Sequence, residues 1–346
     1  MSVVPTASAT NAPEGVGPVL SVRDLVVHFA GRRRSTVRAV DGVSFDIAPA
    51  EILALVGESG CGKSTIALSV MRLIEPTSGT ILSGGEDLAQ LRGRRLRRAR
   101  KRVQMIFQDP FGSLNPRRSV YDTVVEPLVI HKIATTKAER RDRVNEALTL
   151  AHLTPPERLA ANYPHELSGG QRQRVAIASA MVLRPPLVIA DEPVSMLDVS
   201  ARAGILRLMM DLRDRLGTSY LFITHDLPTA WVVADRIAVL YLGRIVEIGH
   251  AIDVVAAPAH PYTRALLEVS ADEERLSSDE PVAILPGEAP SASKVPSGCR
   301  FHPRCPRYAA LGQPEVCRIT DPTLGLAPVV AEGHSVACHF PQGGNQ

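Results

Sequence analysis

The sequence contains few aromatic side chains, little net charge and no long apolar run. Its 346 residues include 7 Phe, 6 Tyr and 1 Trp, and the formal net charge is only +3. Single-stranded nucleic acids are bound by stacking on aromatic rings, and nucleic-acid binding in general needs a basic surface. We therefore expect no nucleic acid among the partners of this chain. No apolar run approaches the roughly 20 residues of a membrane-spanning helix, so any link to a membrane should pass through a partner.

The N-terminus lacks the basic segment and the apolar stretch of a secretory signal. Residues 1–18 instead predict a disordered lead-in. Without an export signal we expect the reducing cytoplasm, where clustered cysteines more often bind metals than form disulfides. Four of the 5 cysteines fall near the C-terminus, at Cys299, Cys305, Cys317 and Cys338.

The apolar patterns predict an α/β chain with an appended tail. Residues 19–30 alternate like a half-exposed strand, and residues 52–56 form a short buried strand that leads into a Gly-rich loop and a helix. Helical periodicity between about 116 and 165 predicts a mostly helical insert. Past residue 257 the chain becomes a Ser- and acid-rich linker and then a Pro- and Cys-rich tail. This tail has too few apolar residues for a core of its own.

The motif GESGCGKS, residues 57–64, fits the pattern of a phosphate-binding loop and has the required strand before it and helix after it. Glycines let backbone N–H groups point at phosphate oxygens, and the helix N-terminus adds positive potential. We expect Lys63 to reach the β and γ phosphates and Ser64 to ligate Mg²⁺. Cys61 occupies a variable position and is expected to be an inert small residue. The predicted nucleotide-binding residues of this segment are Gly57, Ser59, Gly60, Cys61, Gly62, Lys63, Ser64 and Thr65.

Two further apolar strands are followed by polar side chains that could act on a bound phosphate. Asp191 and Glu192 end the strand in PPLVIADEP, and His225 follows the strand in SYLFITHDL. Open α/β sheets bind ligands beyond the carboxyl ends of their strands. Asp191 is predicted to bind Mg²⁺ or one of its waters, and Glu192 can point at the water that attacks the γ-phosphate. Merely solvated carboxylates are the alternative, but the phosphate loop disfavours it.

A second phosphate cradle, without a lysine, is predicted in LSGGQRQRVAIASAM from residue 167 onwards. Ser168, Gly169 and Gly170 stand where a helix begins, and Gln171 follows. One chain has little use for two cradles on one nucleotide, whereas two chains facing head to tail would each close this cradle over the other's ATP.

Together these motifs resemble those of ATP-binding-cassette (ABC) ATPases over about residues 19–250. The Walker A motif is 57–64, the signature is 167–171, Walker B is 187–191 and the D-loop is 195–198. The resemblance implies a P-loop NTPase fold with an antiparallel β subdomain, a parallel-sheet core and a helical subdomain at about 116–170. A small irregular C-terminal extension over 251–346 would complete the chain.

The resemblance implies ATP and Mg²⁺ as ligands and a competent catalytic site. Glu192 resembles the general base or water-polarising carboxylate, and His225 the residue that contacts the γ-phosphate; Lys63 completes this catalytic set. Gln108 resembles the residue that ligates Mg²⁺, beside Ser64 and Asp191, and that senses the membrane partner.

Two further family positions are implied to contact nucleotide. Asp198 is the D-loop aspartate, in a loop that has Met196 where the family usually has alanine. Phe29 is the best candidate for the aromatic ring that stacks on adenine, although a buried Phe29 that merely packs on its strand is an alternative.

The flanking segments resemble one branch of these ATPases. AHPYTRALLEV at 259–269 and the Cys-containing tail are similar to the C-terminal extension of oligopeptide, dipeptide and nickel importer ATPases. This implies two membrane permeases, an extracytoplasmic substrate-binding protein and a second cassette, identical or paralogous, at the cytoplasmic face of the membrane. Import of nickel or another small solute, a DNA-repair type of ABC ATPase and a solitary nucleotide-binding regulator are the alternatives.

The tail cysteines are spaced C-x5-C-x11-C-x20-C. Structural zinc sites usually contain close C-x2-4-C pairs, which are lacking here. Four thiolates scattered over a core-poor segment suit an iron–sulfur cluster, which can cross-link distant turns. The family resemblance implies a [4Fe–4S] cluster on Cys299, Cys305, Cys317 and Cys338. Zinc and free or disulfide-bonded cysteines remain alternatives, and His302, His334 or His339 could replace one ligand.

Overall fold

The computed structural model describes residues 17–31, 35–274, 287–325 and 333–342. The predicted lead-in, residues 1–18, lies outside these ranges except for its last two residues. Within the described ranges, no helix combines the length and the apolar character that crossing a membrane requires.

The strands of the described residues form two sheets. They are β1 (Leu20–Ala30), β2 (Thr36–Ile47), β3 (Ile52–Val56), β4 (Ser78–Ser83), β5 (Glu86–Asp87), β6 (Val103–Ile106), β7 (Leu187–Asp191), β8 (Ser219–Thr224), β9 (Arg236–Tyr241), β10 (Arg244–His250) and β11 (Ser335–Val336). The first sheet is antiparallel in the order β2-β1-β4-β5, and the second has the order β11-β10-β9-β3-β8-β7-β6.

The central strands of the second sheet are parallel. β3 runs parallel to β8 and β9, β7 to β8, and β6 to β7, whereas β10 and β11 are antiparallel to their neighbours. The predicted α/β architecture, in which antiparallel strands lead into a parallel core, is therefore confirmed.

The apolar run of β3 is buried on both faces of the sheet. Successive side chains of a strand point to opposite faces. Ile52, Ala54 and Val56 join the larger apolar cluster on one face, and Leu53 and Leu55 join a second cluster on the other face. A strand covered on both faces must be apolar throughout, which is why it reads as a continuous run and not as an alternation.

The described residues form thirteen α-helices, several of which pack on the second sheet. They are α1 (Lys63–Val70), α2 (Gly93–Ala99), α3 (Pro110–Ser113), α4 (Val120–Ile130), α5 (Lys137–Leu150), α6 (Pro156–Ala160), α7 (Gly169–Met181), α8 (Val199–Leu216), α9 (Leu227–Val233), α10 (Ala251–Ala256), α11 (Pro261–Glu274), α12 (Pro306–Ala310) and α13 (Val316–Ile319).

The helices α3 to α7 lie between β6 and β7 in the sequence, where the helical insert was predicted. Ser119 and Thr136 cap α4 and α5 with reciprocal capping boxes. α4 and α5 both pack on α7, so this helical group continues to Met181. The domain limits at about 116–170, at 250 and at 251 remain predictions.

The described part of the C-terminal extension packs on the cassette core, and only Ala259, Val336 and Cys338 form a small apolar cluster apart from it. Tyr262 and Phe301 are buried members of the larger core cluster. β11 pairs with β10, with Val336 opposite Glu247.

Glu247 anchors the extension to the sheet. Its carboxylate is fully buried and accepts the N–H groups of Ala259 at 2.8 Å and His260 at 2.9 Å. Nε2 of His334 lies 2.7 Å from the same carboxylate. One buried acidic group thus joins the start of the extension to its last strand.

Replacing Glu247 by Ala should lower the free energy of unfolding by about 3 kcal/mol, because two N–H groups and a buried imidazole lose their partner. Glu126→Ala is the control, since Glu126 forms an ion pair with Arg118 in which both side chains are substantially exposed; its loss should cost less than about 1 kcal/mol. Urea unfolding followed by circular dichroism measures both. Equal costs for the two variants would contradict the anchoring role of Glu247.

Candidate active site

The loop between β3 and α1 comes close to the main chain of neighbouring strands. A Cβ atom at Gly57 would lie 2.2 Å from the carbonyl oxygen of Leu240, and one at Gly62 would lie 2.2 Å from that of Ala39. Gly62 also has φ of +113°, which side-chain-bearing residues rarely adopt. Space therefore requires both glycines, and conformation also requires Gly62.

Lys63 begins α1 and folds back over the loop. Its ammonium donates to the carbonyl oxygens of Gly57 at 2.6 Å and Glu58 at 3.0 Å, and its side chain is buried. Cys61 is buried beside it, with Sγ 3.9 Å from Nζ of Lys63. Burial raises the pKa of the Cys61 thiol, which keeps it protonated, in agreement with the prediction of an inert residue.

The first turn of α1 meets the end of β7. Oγ of Ser64 donates to Oδ1 of Asp191 at 3.2 Å. Burial raises the pKa of Asp191, and the hydrogen bond from Ser64 opposes that shift. A hydroxyl and a carboxylate at this separation are hard oxygen ligands of the kind that Mg²⁺ prefers. The residues present therefore fit a magnesium ion: Ser64 and Asp191 would hold it, and it would supply positive charge against the phosphates.

Glu192 is held between two of the predicted site residues. Nε2 of Gln108 donates to one carboxylate oxygen at 2.9 Å, and Nδ1 of His225 lies 3.1 Å from the other. The main-chain N–H of Glu192 donates to the carbonyl oxygen of Ile223, and its φ is +46°. Such a left-handed conformation is costly for glutamate, and the contacts with Gln108 and His225 hold its carboxylate.

The signature and D-loop residues stand at two helix N-termini. Ser168 caps α7: its Oγ accepts the N–H of Gln171 at 3.3 Å, and Oε1 of Gln171 accepts the N–H of Ser168 at 2.9 Å. Asp198 caps α8 through the N–H of Ala201 at 2.8 Å. Ser168 and Asp198 are exposed, so both are accessible to a second molecule.

Phe29 lies on β1 opposite Val37, and its exposed fraction is 39%. The alternative of a buried Phe29 that only packs on its strand is therefore wrong. A half-exposed ring can stack on a planar base.

The four tail cysteines, although far apart in sequence, line one cavity, together with His302 and His339. Burial raises the pKa of the Cys299 and Cys338 thiols to about 12, and it also raises the pKa of Cys305 and Cys317. All of these cysteines are free thiols.

The histidines near the cysteines are not equivalent. His334 is not among the residues that line the cavity; it is bound to Glu247. Nδ1 of His302 lies 2.9 Å from the carbonyl oxygen of Cys299. In the described part of the chain, no three Cys, His, Asp or Glu side chains are grouped to hold one metal ion.

Comparison with known proteins identifies the family. The model of the ABC transporter family matches residues 40–195, and that of the oligopeptide/dipeptide transporter C-terminal region matches residues 246–310. A putative peptide import ATP-binding protein of Brucella ovis is 48% identical over 323 residues, which cover 93% of this chain and 97% of that protein. The chain belongs to the ABC transporter ATP-binding proteins. The resemblance predicted from the motifs is thus confirmed.

Other relatives of this ABC ATPase support the same assignment. The oligopeptide transport ATP-binding protein AppF of Bacillus subtilis is 44% identical, with 93% of this chain and 97% of AppF covered. Among solved structures, the dimeric cassette MJ0796 in a post-hydrolysis state with ADP and phosphate has a TM-score of 0.61 at 29% identity, covering 67% of this chain and 98% of that chain. CbiO1 from Clostridium perfringens has a TM-score of 0.62 at 29% identity, covering 70% of this chain and 92% of that chain.

The ABC ATPase site is continuous within one chain from the phosphate loop to Glu192. Ser64 contacts Asp191, which adjoins Glu192, and Glu192 contacts His225 and Gln108. These contacts form one continuous set of polar side chains that leads from the phosphate loop to His225.

Sequence reasoning missed two residues that contact the phosphate loop, and it gave no role to Glu58, the loop residue that they contact. The main-chain N–H of Glu58 donates to the Oη of Tyr262, and the carboxylate of Glu58 binds Arg304. Both partners lie in the extension, within segments that marked the importer branch. A single sequence does not indicate that these segments fold back onto the loop.

We predict that Glu192→Gln leaves ATP binding intact and lowers ATP turnover at least about a hundredfold, because the amide cannot accept a proton from water. Phosphate release and equilibrium binding of Mg·ATP measure the two properties separately. Glu268→Gln is the control, since Glu268 is a half-exposed residue of α11 that pairs with Arg264. Unchanged hydrolysis in Glu192→Gln would contradict the assignment.

Proposed function

We propose that this ABC importer ATPase energises the uptake of oligopeptides or dipeptides. The observation that carries the proposal is the extension, which matches the oligopeptide/dipeptide transporter C-terminal region at residues 246–310 and packs on the cassette. The names of the relatives from Brucella ovis and Bacillus subtilis, which refer to peptide import and oligopeptide transport, support the same solute class.

The proposed assembly contains two membrane permeases and two cassettes, which bind at the cytoplasmic face of the membrane. An extracytoplasmic substrate-binding protein would deliver the solute to the permeases. The two cassettes would pair head to tail, so that Ser168, Gly169, Gly170, Gln171 and Asp198 of one contact ATP on the phosphate loop of the other. The accessible caps of α7 and α8 and the dimeric state of the MJ0796 structure support this arrangement. The second cassette is an identical chain or a paralogue.

Within each site we propose that Phe29 stacks on adenine and that the loop from Gly57 to Thr65 binds the phosphates. Ser64, Gln108 and Asp191 would hold Mg²⁺. Glu192 would activate the attacking water, His225 would contact the γ-phosphate, and Lys63 would neutralise charge between the β and γ phosphates. The contacts of Glu192 with Gln108 and His225 support these roles.

We further propose that Cys299, Cys305, Cys317 and Cys338 hold a [4Fe–4S] cluster that cross-links the extension. Their position around one cavity supports a shared ligand. A single zinc ion needs its thiolates about 3.8 Å apart, because each Zn–S bond is about 2.3 Å. A four-iron cluster can join thiolates that lie farther apart than this. Zinc is the competing metal.

The transport proposal is tested on the complex. A tagged chain should copurify from solubilised membranes with permeases and a second cassette. In reconstituted vesicles with the substrate-binding protein, dipeptides or oligopeptides should raise ATP turnover. Copurification without permeases, or stimulation by Ni²⁺ alone, would contradict the proposal.

The cluster proposal is tested by metal analysis of anaerobically purified protein. We expect a brown protein with about four irons and four sulfides per chain. Cys305→Ser and Cys317→Ser should lose most of the iron, whereas Cys61→Ser, at the cysteine of the phosphate loop, should retain it. Stoichiometric zinc in a colourless protein would overturn the proposal.

A further inference from the structure

Glu58, the second residue of the phosphate loop, is bound by two side chains of the extension. Its main-chain N–H donates to Oη of Tyr262 at 2.9 Å. Its carboxylate receives two hydrogen bonds from the guanidinium of Arg304, one at 3.0 Å from Nη1 to Oε2 and one at 3.2 Å from Nη2 to Oε1. This two-point geometry is the strongest form of an arginine–carboxylate pair.

Arg304 and Tyr262 are themselves fixed by packing. The side chain of Arg304 is 8% exposed, and its guanidinium carbon lies 6.0 Å from the ring centre of Tyr241. The rings of Tyr241, Tyr262 and Phe301 pack together with centroid distances of 4.7, 5.2 and 5.4 Å. Side chains held in this way have lost most of their rotamer freedom before any ligand binds, so they can fix the position of Glu58.

A carboxylate in a phosphate-binding loop carries the wrong charge for its ligand. Glu58 is part of the loop expected to surround the triphosphate, and its own carbonyl oxygen accepts the ammonium of Lys63 at 3.0 Å. An unpaired negative charge there would repel the phosphates and would compete for Lys63. Arg304 removes both effects, because it neutralises the carboxylate and holds it against the extension.

We propose that Arg304 and Tyr262 are positioning residues for ATP binding, so that the extension braces the phosphate loop through Glu58. The inference rests on ATP binding by this loop, which belongs to the proposed function. It depends neither on the identity of the transported solute nor on the metal at the cysteines.

The test measures equilibrium binding of Mg·ATP by calorimetry to the full chain in a Glu192→Gln background. Arg304→Ala should weaken binding about tenfold, because it leaves a partly buried carboxylate unpaired beside the phosphates. Adding Glu58→Gln should restore the affinity to within about threefold of the parent, since no charge is then left to neutralise. In the chain with Glu192 intact, Arg304→Ala should raise KM with kcat little changed, as expected for lost binding.

Arg318→Ala is the matched control. Arg318 and Arg304 each lie next to a cysteine of the extension, Cys317 and Cys305, but the side chain of Arg318 is exposed. Its replacement should leave the ATP affinity unchanged. If Arg304→Ala does not fold, Arg304→Lys carries the test: it keeps the charge, loses the two-point geometry and should weaken binding about threefold.

An ATP affinity of Arg304→Ala within twofold of the parent would overturn the inference. So would a weakening that persists unchanged when Glu58→Gln is added, because the effect would then not pass through Glu58. Failure of the parent chain to bind Mg·ATP would instead overturn the proposed function. The two failures are therefore distinguishable in one set of titrations.

Discussion

A bound triphosphate needs several N–H groups pointing at it from a single turn of chain, and this constraint organises the cassette. The turn between β3 and α1 must pass so close to Ala39 and Leu240 that Gly57 and Gly62 have no room for a side chain. Those neighbours are carbonyl groups of strand main chains, which cannot move aside. The buried strand β3 fixes where the turn begins, and the parallel order of β3, β8 and β7 brings the other polar residues to the same edge.

The same edge of the sheet concentrates negative charge where a negative ligand binds. Glu58, Asp191 and Glu192 each carry a carboxylate at or next to the site, and each has a different partner. Arg304 holds Glu58, Ser64 donates to Asp191, and Gln108 and His225 bracket Glu192. The partner distinguishes the three roles that we propose: a neutralised structural carboxylate, a metal ligand and a carboxylate directed at water.

The parts that sequence reasoning predicted are those encoded by neighbouring residues. The phosphate loop, the strand that ends in Asp191 and the helix that begins after Ser168 each depend on a few consecutive positions, so a local pattern reveals them. The contacts that it missed join distant parts of the chain. Glu247 with His334 and Glu58 with Arg304 are separated by 87 and 246 positions, and no periodicity of a single sequence encodes such pairs. His334 illustrates the difference, because its place beside the cysteines in sequence suggested a ligand, whereas the fold uses it to anchor β11.

The contacts of Glu58 also have a consequence for the synthesis of the protein. The ribosome delivers the chain from its N-terminus, so the phosphate loop emerges long before the side chains that hold it, which follow by 204 and 246 positions. During most of translation the loop is present with its carboxylate unpaired. Glu58 can gain both contacts only after the segment that carries Arg304 has left the exit tunnel. A chain that is released before that point therefore lacks the guanidinium that pairs with the Glu58 carboxylate.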